Sequence, residues 1–405
     1  MSKENRNMRD IVKICDYKKC TGCEACVQCC PNKCINMIED KDGFLYPYIN
    51  NDKCLKCLRC VKVCHNNKNL KTYKSIFYMG WHKNIEVLKR SSSGGAFTAI
   101  ADLILERGGV VFGAEFDKNT RRVKHIAIEN KKDMDKIRLS KYYQGTIDDS
   151  YVMIKELLKN RWVLFSGTAC QIAGLYSFLG ENYDNLITVD VLCHGVASYK
   201  VVNEYILDKE RKYKKRIVDF KFRLKPNDAD WLNGGMKLIF DDGTSSIENR
   251  DKDTYFVGFN NYLFLRKSCY NCKYTGTNRI SDFTLADYWG VPLSEISYTQ
   301  IKYGVSLVLA NTIKAQNLIS SLKKDMEINK IEPEKAIANN QALERPSTFN
   351  VNRDAFFKLL GEKNFDSIVH KYNAKYYNTI FWKSLLMRMI GESLYNRLKR
   401  FVKRS

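Results

Sequence analysis

Two cysteine runs constrain this 405-residue chain more than any other feature. CTGCEACVQCCP spans Cys20 to Pro31, and CLKCLRCVKVCH spans Cys54 to His65. Both fit C-x2-C-x2-C-x3-C, the second with His65 where proline usually follows. Three cysteines at two-residue gaps wrap a tight loop round one face of an iron–sulfur cubane. The fourth, carried onto a following helical turn, reaches a second cluster. This assigns Cys20, Cys23, Cys26 and Cys64 to one [4Fe–4S] cluster, and Cys54, Cys57, Cys60 and Cys30 to another. Zinc is satisfied by four ligands in two CxxC pairs and does not explain two successive four-cysteine runs. Cys15, Cys29 and Cys34 fall outside the pattern and read as small buried hydrophobes beside the clusters.

The segment between the runs includes FLYPYIN, which reads as a short hairpin, so positions 10–72 resemble a bacterial-type two-cluster ferredoxin. The first fifteen residues contain no apolar signal-peptide core, and no apolar run is long enough to span a bilayer. A cytoplasmic location is expected. Clustered cysteines then mean redox or metal chemistry rather than structural disulfides. The net charge of +22 asks for an acidic partner, an anionic cofactor, nucleic acid or a membrane surface.

Clusters move single electrons and perform no substrate chemistry alone, so the remaining residues must supply an active or docking site. In RSSSGGAFTAIADLILERGGVVFGAEFD, a Ser/Gly loop opens a helix and a strand follows Gly109. Such a loop offers backbone N–H groups and hydroxyls to a phosphate, although a plain N-cap and turn would read the same. No Rossmann fingerprint occurs. RWVLFSGTACQIAGLYSFLG and NLITVDVLCHGVASYKVVNEYILDKE each read as strand, loop, helix, implying neighbouring parallel strands. Cys170 and Cys193 follow the carboxyl ends of those strands, the edge where open α/β sheets bind ligands. With the CxxC of Cys269 and Cys272 they make a third four-thiolate set. Spacing alone leaves a cluster, a structural zinc and idle packing cysteines open. His194, beside Cys193, is the histidine to watch, and Asp242-Gly243 marks a hairpin turn.

SSSGGAFTAIA, VLFSGTACQIAGL, VDVLCHGVAS, FKFRLK, LRKSCYNCKY, RISDFTLADYWG and GVSLVLAN occur in that order. Together they resemble the beta-subunit family of coenzyme F420 hydrogenase and dehydrogenase, with a ferredoxin domain in front. The resemblance implies FAD beside a third [4Fe–4S] cluster held by Cys170, Cys193, Cys269 and Cys272. It places Ser92, Ser93, Gly94 and Gly95, with Gly167 and Thr168, near the flavin. It also implies hydride exchange with a deazaflavin of the F420 type or another two-electron small molecule, and single-electron transfer along the clusters. The family's GTPCQ is GTACQ here, with Ala169 for proline, which keeps the thiol.

The expected architecture is α+β and multidomain. Residues 1–75 form a ferredoxin-like domain, 76–345 an α/β flavin and cluster domain with a mixed sheet, and 346–405 a helical basic tail. Residues 1–75 carry fifteen Lys or Arg against eight Asp or Glu, which suits an acidic ferredoxin or flavodoxin, or a catalytic subunit, as redox partner. The competing reading is a flavin-free electron-transfer adaptor that docks on a catalytic subunit. Nucleic acid is not an expected partner, because the basic residues form no stripe and no nucleic-acid motif is present. FWKSLLMRMIGESLYNRLKRFVKRS holds two short amphipathic segments, the second with five basic residues, so peripheral membrane contact is weighed against simple packing on the domain.

Overall fold

The computed structural model describes residues 12–225, 234–380 and 382. Strands β1 (Ile35–Glu39) and β2 (Leu45–Ile49) form the antiparallel hairpin expected between the cysteine runs. Its tip is pressed onto the helix Tyr199–Tyr213: a Cβ on Gly43, at φ +81, would lie 2.4 Å from the Lys200 Cβ. Phe44 and Tyr46 enter one buried cluster with Tyr143, Tyr205 and Phe256. Cys23 and Ala25 enter another with Tyr151 and Ile172. The cysteine-rich region is thus built into the rest of the molecule.

Strand β3 (Tyr73–Lys74) leads out of that region. There follow β4 (Ile76–His82), β5 (Val110–Asp117), β6 (Arg122–Ile128), β7 (Gly145–Thr146), β8 (Val163–Thr168) and β9 (Leu186–Val191). Next comes a three-stranded antiparallel sheet of β10 (Ile217–Leu224), β11 (Gly235–Phe240) and β12 (Ser245–Asn249). Its second turn is the expected one, with Gly243 at φ +79 and the Thr244 N–H on Asp242 Oδ1. Strand β13 (Asn278–Arg279) pairs back with β3, and β14 (Phe283–Asp287), β15 (Ser306–Ala310) and β16 (Met326–Lys330) complete the set.

Nine strands join in one mixed sheet, ordered β16-β4-β15-β14-β9-β8-β5-β6-β7. Its centre, β14-β9-β8-β5, is parallel, as the strand–loop–helix repeats predict, and antiparallel neighbours flank it. Successive strand residues face opposite sides. Val163 and Phe165 pack with Ile172 and Leu175 of the helix Ala169–Leu179. Leu164 packs with Ala99 and Ile100 of the helix Ala96–Leu105 on the other side. Burial on both faces explains why β8 and β9 open on near-continuous apolar runs.

The helices Arg353–Leu359 and Phe365–Tyr372 pack Phe356, Phe365 and Ile368 into the same core as the hairpin. The basic amphipathic stretch from Phe381 onward lies outside the described residues, apart from Trp382. Among the described residues no helix is long and apolar enough to cross a membrane.

Candidate iron–sulfur and cofactor site

The two cysteine runs fold alike. Glu24 and Leu58, each just after the second cysteine of its run, take left-handed φ values of 63° and 58° and start the short helices that carry Cys26 and Cys60. This reversal turns each loop sharply into its helix. Burial pushes the Cys26 thiol up, and the neighbouring charges of Cys23, Cys20 and Cys64 add to the effect, so the first predicted set stands together. The second set, Cys30, Cys54, Cys57 and Cys60, lines one small pocket with Cys34. Cys34 is buried and its Sγ lies 3.3 Å from that of Cys30, whereas Cys15 and Cys29 are half-buried.

The third set also converges, although its members come from three loops. Cys170 opens the helix Ala169–Leu179, whose first turn is fixed by a capping box between Thr168 and Gln171. The Thr168 hydroxyl lies 3.1 Å from the Cys170 sulfur. Cys193 follows β9, where its sulfur accepts the Gly195 N–H at 3.3 Å. Burial raises Cys193, with Cys269, Cys170 and Cys272 adding to the effect. Burial likewise pushes Cys269 up to about 12 and Cys272 up to about 11. Four thiols this hard to ionise suit a centre that supplies its own positive charge, because a bound metal inverts the local pKa logic. Among the described residues no three Cys, His, Asp or Glu are drawn together as ligands of a single ion.

All four of these thiols line a cavity of about 1050 Å3. It is large for a small-molecule site, whose volumes run to ~1,000 Å3. Ser92, Ser93, Gly95, Gly167 and Thr168 line it as well. Gly94 does not: it sits against the sheet, where a Cβ would lie 2.5 Å from the Gly80 carbonyl and 2.6 Å from the Ser306 nitrogen. The serine hydroxyls are also engaged. Ser93 donates to the Val305 carbonyl at 2.9 Å, and Ser92 accepts the Ser140 N–H at 3.1 Å. The loop is held in place by Lys225, whose ammonium donates to the Leu88, Ser93 and Tyr303 carbonyls. Gly94→Ala is expected to cost about 1–3 kcal/mol by overpacking, read as a lower denaturation midpoint with the m-value unchanged.

Nine Lys or Arg line the cavity against two carboxylates, Asp16 and Asp287, so its field favours an anion. Arg223 pairs with Asp287 at 3.1 Å and also donates to the Ser92 carbonyl at 3.2 Å. Lys141 donates to the Arg138 carbonyl at 2.6 Å, and burial pulls its ammonium down to about 7. His194 lines the wall, and burial keeps its imidazole below its ordinary pKa.

The third set adjoins the first. On the helix Ala169–Leu179, Gly174 lies one turn beyond Cys170, about 6 Å along the axis. A Cβ on Gly174 would come 3.0 Å from the Cys23 sulfur. His65, fully buried, ties the same junction: its ring reaches Thr21 Oγ1 at 3.0 Å and Tyr274 Oη at 2.6 Å. Thr21 follows Cys20 and Tyr274 lies two residues past Cys272, so this histidine joins the first loop to the third. Its departure from the usual proline marked it in the sequence, but the contact across 209 positions could not be read there.

Thiol sets in series at the edge of an α/β sheet define an iron–sulfur electron-transfer protein. Residues 19–68 match the 4Fe-4S dicluster domain. Residues 160–336 match the family that comprises the C terminus of the coenzyme F420 hydrogenase/dehydrogenase beta subunit. These two segments are similar to those families, and through the second the chain is related to the beta subunit of F420 hydrogenase. Among solved structures, a chain of the xenon-derivatized F420-reducing [NiFe] hydrogenase complex from Methanosarcina barkeri matches at 16% identity, covering 76% of this chain and 93% of that one, with a TM-score of 0.44. No curated protein matches.

Proposed function

We propose that the protein exchanges a hydride between a deazaflavin-type or other two-electron substrate and FAD held in the large cavity, and passes single electrons through three [4Fe–4S] clusters to a partner. The observation that carries this reading is the shared wall. One cavity is bounded by Ser91, Ser92, Ser93 and Gly95, by a cationic lining, and by all four thiols of the third set. A bound flavin supplies the conversion between two-electron hydride transfer and one-electron carriers. The chain's part is to hold it. The N-terminus of the helix Ala96–Leu105 and the cations Arg138, Lys141 and Arg250 would receive its phosphates. Gly167 and Thr168 would face it beside Cys170.

FAD binding to the anaerobic protein, followed by flavin fluorescence, tests this reading. Binding is expected to weaken as pH rises through about 7, because Lys141 is protonated below that value and neutral above it. Lys141→Met should flatten the profile. A protein that takes up no FAD at either end of this range is the adaptor instead.

The second set supplies the exit. Cys57 is exposed, and so are Leu55 (67%) and Leu58 (48%) beside it. Lys53, Lys56 and Arg59 surround them on the surface. An apolar centre with a basic rim suits an acidic redox carrier. Arg59→Glu with Lys53→Glu is expected to slow reduction of an acidic ferredoxin about tenfold at low salt, an association-rate effect that high salt erases. Stopped-flow mixing across a salt series reads it directly.

A further inference from the structure

Arg266 has so far no role. It is 1% exposed and lies between the first and third thiol sets. Its backbone N–H donates to the Val196 carbonyl at 3.0 Å, and its carbonyl accepts the Cys269 N–H at 2.9 Å, which fixes it to the loops carrying Cys193 and Cys269. Its side chain then runs into the first cysteine loop. Nε donates to the Cys20 carbonyl at 2.8 Å, Nη2 to the Leu45 carbonyl at 2.9 Å, and Nη1 to Gln144 Oε1 at 3.1 Å. All three acceptors are neutral.

Among the described residues no carboxylate forms an ion pair with this guanidinium. A guanidinium does not shed its proton, and a buried charge without a counter-charge is strongly unfavourable. Of the groups beside it that can carry negative charge, a cysteine sulfur makes the polar contact: Cys20 Sγ lies 3.8 Å from Nη2. The loop is closed down on the cation. Gly22, between Cys20 and Cys23, has φ +71, and a Cβ there would sit 3.1 Å from Nη1. The Tyr46 ring covers the guanidinium from 4.1 Å.

We propose that Arg266 is the buried counter-cation of the cluster held by Cys20, Cys23, Cys26 and Cys64, and that it raises that cluster's reduction potential. The inference rests on the reading of those four cysteines as cluster ligands. Four thiolates on a [4Fe–4S]2+ core give a net charge of −2, and one added electron makes it −3. No proton moves, because the guanidinium stays charged throughout. A fixed cation favours −3 over −2 by simple attraction. Arg266 touches Cys20 directly and acts on Cys170 and Cys269 of the third set only through space, so it favours this cluster as the acceptor from that set, whose loops the same residue anchors.

The test is a redox titration of the anaerobic full-length protein, followed by electron paramagnetic resonance, with iron counted in every sample. Arg266→Gln removes the charge. Gln144→Glu keeps the arginine and its backbone acceptors but sets a carboxylate at the Nη1 contact, and the Gln144 Nε2 it replaces has no hydrogen-bond partner to lose. In both variants the reduced-to-oxidised ratio of one cluster at fixed potential should fall at least tenfold, a downward shift of ~59 mV for a one-electron couple. Arg266→Lys should restore most of it. If Arg266→Gln fails to load iron, Gln144→Glu alone decides. A full iron complement with every midpoint unchanged in Gln144→Glu overturns the inference. A wild-type protein lacking iron would instead defeat the cluster assignment beneath it.

Discussion

Cys193→Ala is expected to lower the iron content from about twelve to about eight atoms per chain, the loss of one cubane. The sulfur stands in the loop after β9, half-buried, with the Gly195 N–H as donor and three other thiols on the same cavity wall. The proposed ligands of the first two clusters come from different loops, whose shape is set by Glu24, Leu58 and the hairpin, so those clusters should persist. The functional effect is larger than the iron loss. With the third set emptied, a hydride donor should still bleach a bound flavin, while the remaining clusters stay oxidised on the timescale of turnover. Metal analysis and stopped-flow spectra together check this. Twelve iron retained in the variant would show that Cys193 is no ligand.

Arg353→Met should have the largest effect on stability. Arg353 is 1% exposed in side chain, pairs with Asp42 at 3.0 Å, and donates from Nε to the Leu265 carbonyl at 2.8 Å. Asp42 lies in the hairpin turn, whose own carbonyl accepts the Ser198 hydroxyl. Removing the cation leaves a buried carboxylate with no counter-charge, a change that typically costs about 3–5 kcal/mol. Arg90→Met breaks a pair with Asp135 whose side chains are 60% and 54% exposed. Exposed pairs are worth only ~0–1 kcal/mol, so this variant serves as the control. Anaerobic denaturation of the iron-loaded protein should separate the two clearly. Because Asp42 anchors the cysteine-rich region to the core, Arg353→Met should also release iron at lower denaturant. Equal midpoints for the two variants would mean that the buried pair does not hold the hairpin.

What the sequence made legible follows from distance along the chain. The cysteine runs, the hairpin between them and the strand–loop–helix repeats are local patterns, and each is present in the structure. The convergence of Cys170, Cys193, Cys269 and Cys272 was reachable because the first two follow adjacent parallel strands, whose carboxyl ends form one edge. The sheet order was not reachable, since β4 pairs with β15 and β16 across more than two hundred residues. What Gly94 faces was hidden for a related reason. A small-residue loop looks the same in sequence whether its glycine faces a ligand or, as here, a neighbouring strand. Arg266 and His65 stand beside cysteines in the sequence, but their partners lie 246 and 209 positions away. Periodicity and spacing carry no information about such contacts. The one trace was the unusual histidine after Cys64.

The most direct test of the converter is the cofactor content of the untagged protein purified without oxygen. Iron, acid-labile sulfide, zinc and flavin are measured per chain. About twelve iron, matching sulfide and one flavin are expected, the content of three cubanes and one FAD. About eight iron with some zinc and no flavin would contradict it, and would leave a two-cluster ferredoxin fused to a docking domain.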